Sequence, residues 1–182
     1  MANQTKRTGK VAFAGIMGAL SLVILLFSAI PATEMALPAI AGLTAVPVVV
    51  ECGRKYAIGH FAAVSILALL LVPSKEGAGL YLAFFGYYGI LKAWLEGKAL
   101  PRFAEWAVKL GVFNAAVVVF YWAMLTFFHL ESDAFTVGGV SLPWVFLLVG
   151  NGIFVIYDIG LTRLVRLYCG LWGPRLRKHF RL

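Results

Sequence analysis

The chain is a succession of long apolar runs separated by short polar or proline-bearing breaks. The runs are close to the ~20 residues that a helix needs to cross the hydrocarbon of a bilayer. They predict six helices, at about 10–30, 35–50, 56–72, 78–95, 104–128 and 141–167. Pro31 ends the first, and Glu34 lies in the loop after it. Pro38 is tolerable in the first turn of the second helix, whereas Pro47 kinks or ends it. Glu51-Cys-Gly-Arg54-Lys55 is the next turn, and Pro73-Ser74-Lys75-Glu76-Gly77 leads into the fourth helix. The connection Glu96–Arg102 is the longest on its side and marks a seam between helices 1–3 and 4–6. No internal repeat is visible, so the whole of 1–182 reads as one six-helix domain.

Composition agrees with this division. Hydrophobic residues make up 62% of the 182 and charged residues 13%, about half the share of a soluble domain. The net charge of +8 raises nucleic acid as a partner, but in so apolar a chain it is better explained by cationic loops on the cytoplasmic side. With the N-terminus inside, fifteen of the sixteen lysines and arginines fall on the inner side, and only Lys75 falls outside. Four of the eight acids, Glu34, Glu76, Glu131 and Asp133, lie in the outer loops. The expectation is an all-α integral membrane protein with both termini cytoplasmic. Lys6, Arg7 and Lys10 resemble the start of a signal peptide, but the apolar run after them is too long, so helix 1 is read as retained. Cys52 and Cys169 fit neither a disulfide framework nor a metal motif.

Polar residues inside apolar spans usually face the bundle interior. Lys92 and Asp158 fall at similar depths in the inner half, with Asn114 nearby. They read as an interhelical ion pair with an amide, or as a proton or ion relay. Tyr81, Tyr88 and Lys92, spaced by seven and four, are expected on one helix face, and so are Asn151 and Asp158, seven apart. In the outer half, Tyr81, Tyr121, Trp122 and Asn151 lie below the loop residues Glu34, Lys75, Glu76, His129 and Glu131. That set fits either a small-molecule pocket or an aromatic belt under solvated charges. His129-Leu-Glu131-Ser-Asp133 has no second cluster to complete a metal site. His60 reads as a polar residue near the inner interface. Gly139-Val-Ser141 has no matching histidine for hydrolysis, and no Walker A loop is present. The chain is therefore read as a non-enzyme without cofactor or metal. On helix 1, Ala14/Gly18 and Gly15/Ala19 are small-xxx-small pairs that allow close approach of another helix.

Three stretches carry a resemblance: VVVECGRKYAIG, LVPSKEGAGLYLAFFGYYGILKAW and KLGVFNAAVVVFYW. With the small-residue face of helix 1, they make the chain resemble the substrate-capture S components of energy-coupling factor (ECF) transporters, in an uncharacterised S-component-like branch. The resemblance covers nearly the whole chain. It implies a multi-pass protein of the prokaryotic cytoplasmic membrane that binds a vitamin-like solute in an outward pocket of helices 4–6. Its partners would be a transmembrane coupling subunit and two ATPase subunits, which hydrolyse the ATP. It assigns Glu34, Lys75, Glu76, Tyr81, Trp122 and Asn151 as ligand contacts by position, and Ala14, Gly15, Gly18 and Ala19 as the docking face. Glycines stand where the family has alanines in part of that face. The thiamine, riboflavin and biotin motifs and the N-terminal histidine pattern of the nickel and cobalt members are absent. The alternative is a non-transporting six-helix scaffold of the cell-shape MreD type.

Overall fold

The computed structural model describes residues 2–30, 33–98, 100–128, 136–137, 140–141 and 143–171. Pro31, the His129–Asp133 stretch, Gly139 and the basic tail from Arg175 lie outside them. Among the described residues there are eight α-helical segments: α1 Ala2–Leu26, α2 Ala36–Leu43, α3 Ala45–Cys52, α4 Arg54–Leu71, α5 Lys75–Leu80, α6 Gly86–Glu96, α7 Arg102–Phe128 and α8 Pro143–Leu171. Only the helical residue Thr44 separates α2 from α3, and the π-helical turn Tyr81–Phe85 joins α5 to α6. The described residues thus form six rods, close to the six predicted segments. Four of them, within α1, α4, α7 and α8, are long and apolar enough to cross a membrane. A two-residue antiparallel pairing, Thr136–Val137 with Val140–Ser141, lies between α7 and α8.

Two departures from the expected pattern have local causes. Pro47 neither ends the second rod nor kinks it at its own position. It is the third residue of α3, and its missing N–H and bulky ring disrupt the turn before it, so the break falls at Thr44. Thr44 covers the loose end there, since its N–H and hydroxyl both donate to Ala41 O, at 3.2 and 2.8 Å. The fourth rod begins at Lys75 rather than 78, because Ser74 Oγ accepts from Gly77 N–H at 3.0 Å and caps it. Its π turn adds a residue and so rotates the helix beyond it by about 100°. Tyr81 and Tyr88 consequently do not share a face. Tyr81 packs with Leu25, Ala41, Val64 and Val72, whereas Tyr88 packs with Phe113, Phe154 and Leu161.

The two interrupted rods occupy the centre, with α1 and α4 on one side and α7 and α8 on the other. Between the central rods and α8 lies an aromatic cluster. Phe84 stacks on Tyr88 at 4.8 Å and Phe113 on Phe154 at 4.7 Å between ring centroids. The outside is apolar: Leu70, Leu148 and Ile156 are all more than seven-tenths exposed, and a hydrocarbon solvent accounts for such a surface better than water. Side chains linking α1, α2 and α4 also hold the Thr44 break. Ser21 Oγ donates to Ala41 O at 3.0 Å and contacts Thr44 Oγ1. His60 Nδ1 lies 3.2 Å from Ala14 O and Nε2 3.5 Å from Thr44 Oγ1.

Close approach of the central rods depends on Gly42, where a Cβ would run into the Phe85 backbone. Gly42→Ala should therefore cost about 1–3 kcal/mol by overpacking. Gly15→Ala, where nothing lies within 4 Å of a Cβ, should be close to neutral. Denaturant unfolding of the two variants in detergent measures the contrast.

Candidate functional site

The strongest concentration of chemistry lies where α6, α7 and α8 meet. Asp158 on α8 is 3% exposed, and so is Lys92 on α6. Lys92 Nζ donates to Asp158 Oδ1 at 2.5 Å, and Tyr88 Oη donates to the same oxygen at 2.5 Å. Lys109 on α7, also buried, donates to Oδ2 at 3.3 Å. Two carboxylates complete the network. Glu96 pairs with Lys92 at 2.7 Å and Lys109 at 3.2 Å, and Glu105 with Lys109 at 2.5 Å. Two ammonium groups thus face three carboxylates. The surplus negative charge is tolerable because the Glu96 side chain is 42% exposed.

Helix periodicity explains this convergence. Tyr88, Lys92 and Glu96 are four residues apart and line one face of α6, and Glu105 and Lys109 are four apart on α7. The expected pairing of Lys92 with Asp158 is present. Lys109, Glu96 and Glu105 also belong to the site, although in the sequence they look like flanking charges; their four-residue spacings are the one available signal. Asn114 belongs elsewhere. It and Asn151 exchange two amide hydrogen bonds of 2.9 Å, and each also donates to the carbonyl four residues before it at 2.8 Å. Lys109 meets Asp158 and Asn114 meets Asn151, so α7 and α8 are pinned at two levels. Asn151 and Asp158 share the face turned to α7, as their spacing predicts.

Chemically, the network is a clamp. Both oxygens of Asp158 accept from strong donors, so this carboxylate is not itself a free base. Among the described residues no group of three or more potential ligands could hold a metal ion.

The six residues assigned to a solute differ in their surroundings. Tyr81 is fully buried, Trp122 is 62% exposed, and Asn151 is paired with Asn114. Lys75 donates to Leu69 O at 2.9 Å and Val72 O at 3.2 Å, which satisfies carbonyls at the end of α4. Glu34 and Glu76 are brought together. Burial first, and then the hydrogen bond and charge of the neighbouring Glu34, push the Glu76 carboxyl above its usual range.

On the opposite side of the bundle, α1 and α4 border an apolar groove of about 490 Å³. All four small residues of helix 1 line it. Gly15 and Ala19 are exposed, and Ala14 and Gly18 are half-buried. Gly59 and Ala63 of α4 form the other wall, with Lys55 and Tyr56 at one end.

Among the family models, characterised proteins and solved structures compared with the chain, none matches it.

Removing the Asp158 charge leaves Lys92 and Lys109 with only the less buried Glu96 and Glu105 as partners and weakens the acceptor of Tyr88, so Asp158→Asn should destabilise the fold by about 1–3 kcal/mol. A loss below about 1 kcal/mol in denaturant unfolding, the size of an exposed pair, would mean that the network is solvated. Glu76 gives a pH prediction. A carboxyl with a raised folded-state pKa weakens the fold above that pKa, and the penalty disappears as pH falls towards the ordinary carboxylate range. Glu76→Gln should therefore raise Tm at neutral pH, and its advantage should vanish in acid.

Proposed function

We propose that this chain is the solute-binding subunit of an ECF-type uptake transporter in a prokaryotic cytoplasmic membrane. It crosses six times with both termini inside, and it performs no catalysis of its own. The observation that carries this reading is the open small-residue ridge of α1. At Gly15 nothing lies within 4 Å of the place a Cβ would occupy, so a partner helix crossing α1 at an angle can come backbone-close. A coupling subunit is the partner this reading assigns to the ridge, and the two ATPases bound to that subunit drive the cycle. The solute is a vitamin-like small molecule captured on the outer side, near the Glu34–Glu76 pair.

A second reading, the MreD-type scaffold, draws support from the surroundings of Tyr81, fully buried, Trp122, exposed, and Asn151, engaged with Asn114. Native mass spectrometry of the tagged protein from its host's membranes separates the two. The transport reading predicts co-purifying ATPases and a bound solute. Cell-shape proteins and no solute would favour the scaffold. Gly15→Leu should abolish the ATPase association while leaving the bundle folded, because its side chain enters empty space. Gly18→Leu is a poorer probe, since a Cβ there already meets Val64 at 3.4 Å and His60 at 3.6 Å.

A further inference from the structure

The groove between α1 and α4 is apolar along its length and cationic at one end. The two helices run alongside each other in the same direction, since Lys10 lies by Tyr56, Ala14 by His60 and Gly18 by Val64. The groove spans Val11 to Leu22 of α1 and Tyr56 to Leu67 of α4. Eleven residues of helix give it a length of ~17 Å. That is close to the depth of one leaflet, about half of the ~30 Å hydrocarbon core. An extended acyl chain is long enough to lie along it. The floor asks for no polar ligand, because His60 is already engaged by Ala14 O and Thr44.

The two ends of the groove differ in charge. Lys55 lines one end, beside Tyr56, and the Lys10 ammonium lies 5.9 Å from the Tyr56 ring centroid. Arg54 adjoins them, and no acidic residue lines the groove. The other end, at Leu22 and Leu67, is apolar. An apolar slot one leaflet deep with cations at its mouth complements a lipid that carries negative charge on its headgroup.

We propose that the groove is a binding site for one anionic phospholipid, with an acyl chain between α1 and α4 and the phosphate at Lys55 and Lys10. This inference does not depend on the transport reading. In that reading, a coupling subunit arriving at the α1 ridge, which is the wall of the groove, would displace this lipid.

The test uses the purified full chain reconstituted in bilayers of equal phosphatidylglycerol and phosphatidylcholine, then released into mild detergent for native mass spectrometry. The wild type should retain one phosphatidylglycerol, favoured over phosphatidylcholine by about thirtyfold if each of the two lysines contributes as a surface cation does. Gly59→Leu, whose added side chain enters open groove without a clash, should lose both lipids. Lys10→Gln/Lys55→Gln should keep a lipid but lose the preference for the anionic one. Equal retention of the two lipids by the wild type, or unchanged retention in Gly59→Leu, would overturn the proposal. So would a dimer mass that Gly59→Leu abolishes, which would assign the groove to a second copy of the chain. Lys10→Gln/Lys55→Gln leaves the small residues of α1 unaltered, so ATPase co-purification with that variant reads docking apart from lipid preference and the two readings can fail independently.

Discussion

Asp158 is the residue around which one side of the bundle is fixed. An ionised carboxylate in an apolar interior is admissible only if cations and hydrogen-bond donors reach it, and here they come from two other helices. Tyr88 and Lys92 of α6 meet one oxygen and Lys109 of α7 meets the other. This requirement sets the rotation of all three helices about their axes, because a turn of α8 by one residue would remove Asp158 from its donors. Apolar packing alone permits many such rotations, since hydrocarbon side chains pack against lipid almost as well as against each other. The ion network selects among them.

The other side of the bundle is organised by small residues and hydroxyls. Gly42 lets the second rod touch the π turn, and Ser21, Thr44 and His60 connect α1, α4 and the break between α2 and α3. The interior polarity is thus divided. Neutral hydrogen bonds serve the α1–α4 side, and charged ones serve the α6–α8 side. The central rods, each interrupted in its helical course, mediate between the two.

The legibility of the structure in the sequence has the same division. Apolar run length is a strong local signal, so the rods are legible to within a few residues. The Lys92–Asp158 pair is legible because two opposite charges at one depth have few other ways to be buried. The π turn is not, since YLAFF has no residue that demands one, and its effect on Tyr81 passes through register rather than composition. Lys109 is hidden by its position near other cations, where a solvated charge is the simpler reading. Asn114 reads as a companion of the ions because depth alone cannot distinguish one helical turn from the next. The solute contacts, inferred by position from a resemblance, depend on loop and side-chain geometry that spacing does not carry.

The buried carboxylate also has a bearing on biogenesis. Alone at the centre of a bilayer, an aspartate makes a helix costly to insert, by about 2.5–3.5 kcal/mol on insertion scales. Its counter-charges are on α6 and α7, which precede α8 in the chain. In a membrane, α8 would therefore leave the translocation machinery most readily once the earlier pair was in place to receive it. The charges that fix the finished bundle would in that way also give its assembly a direction.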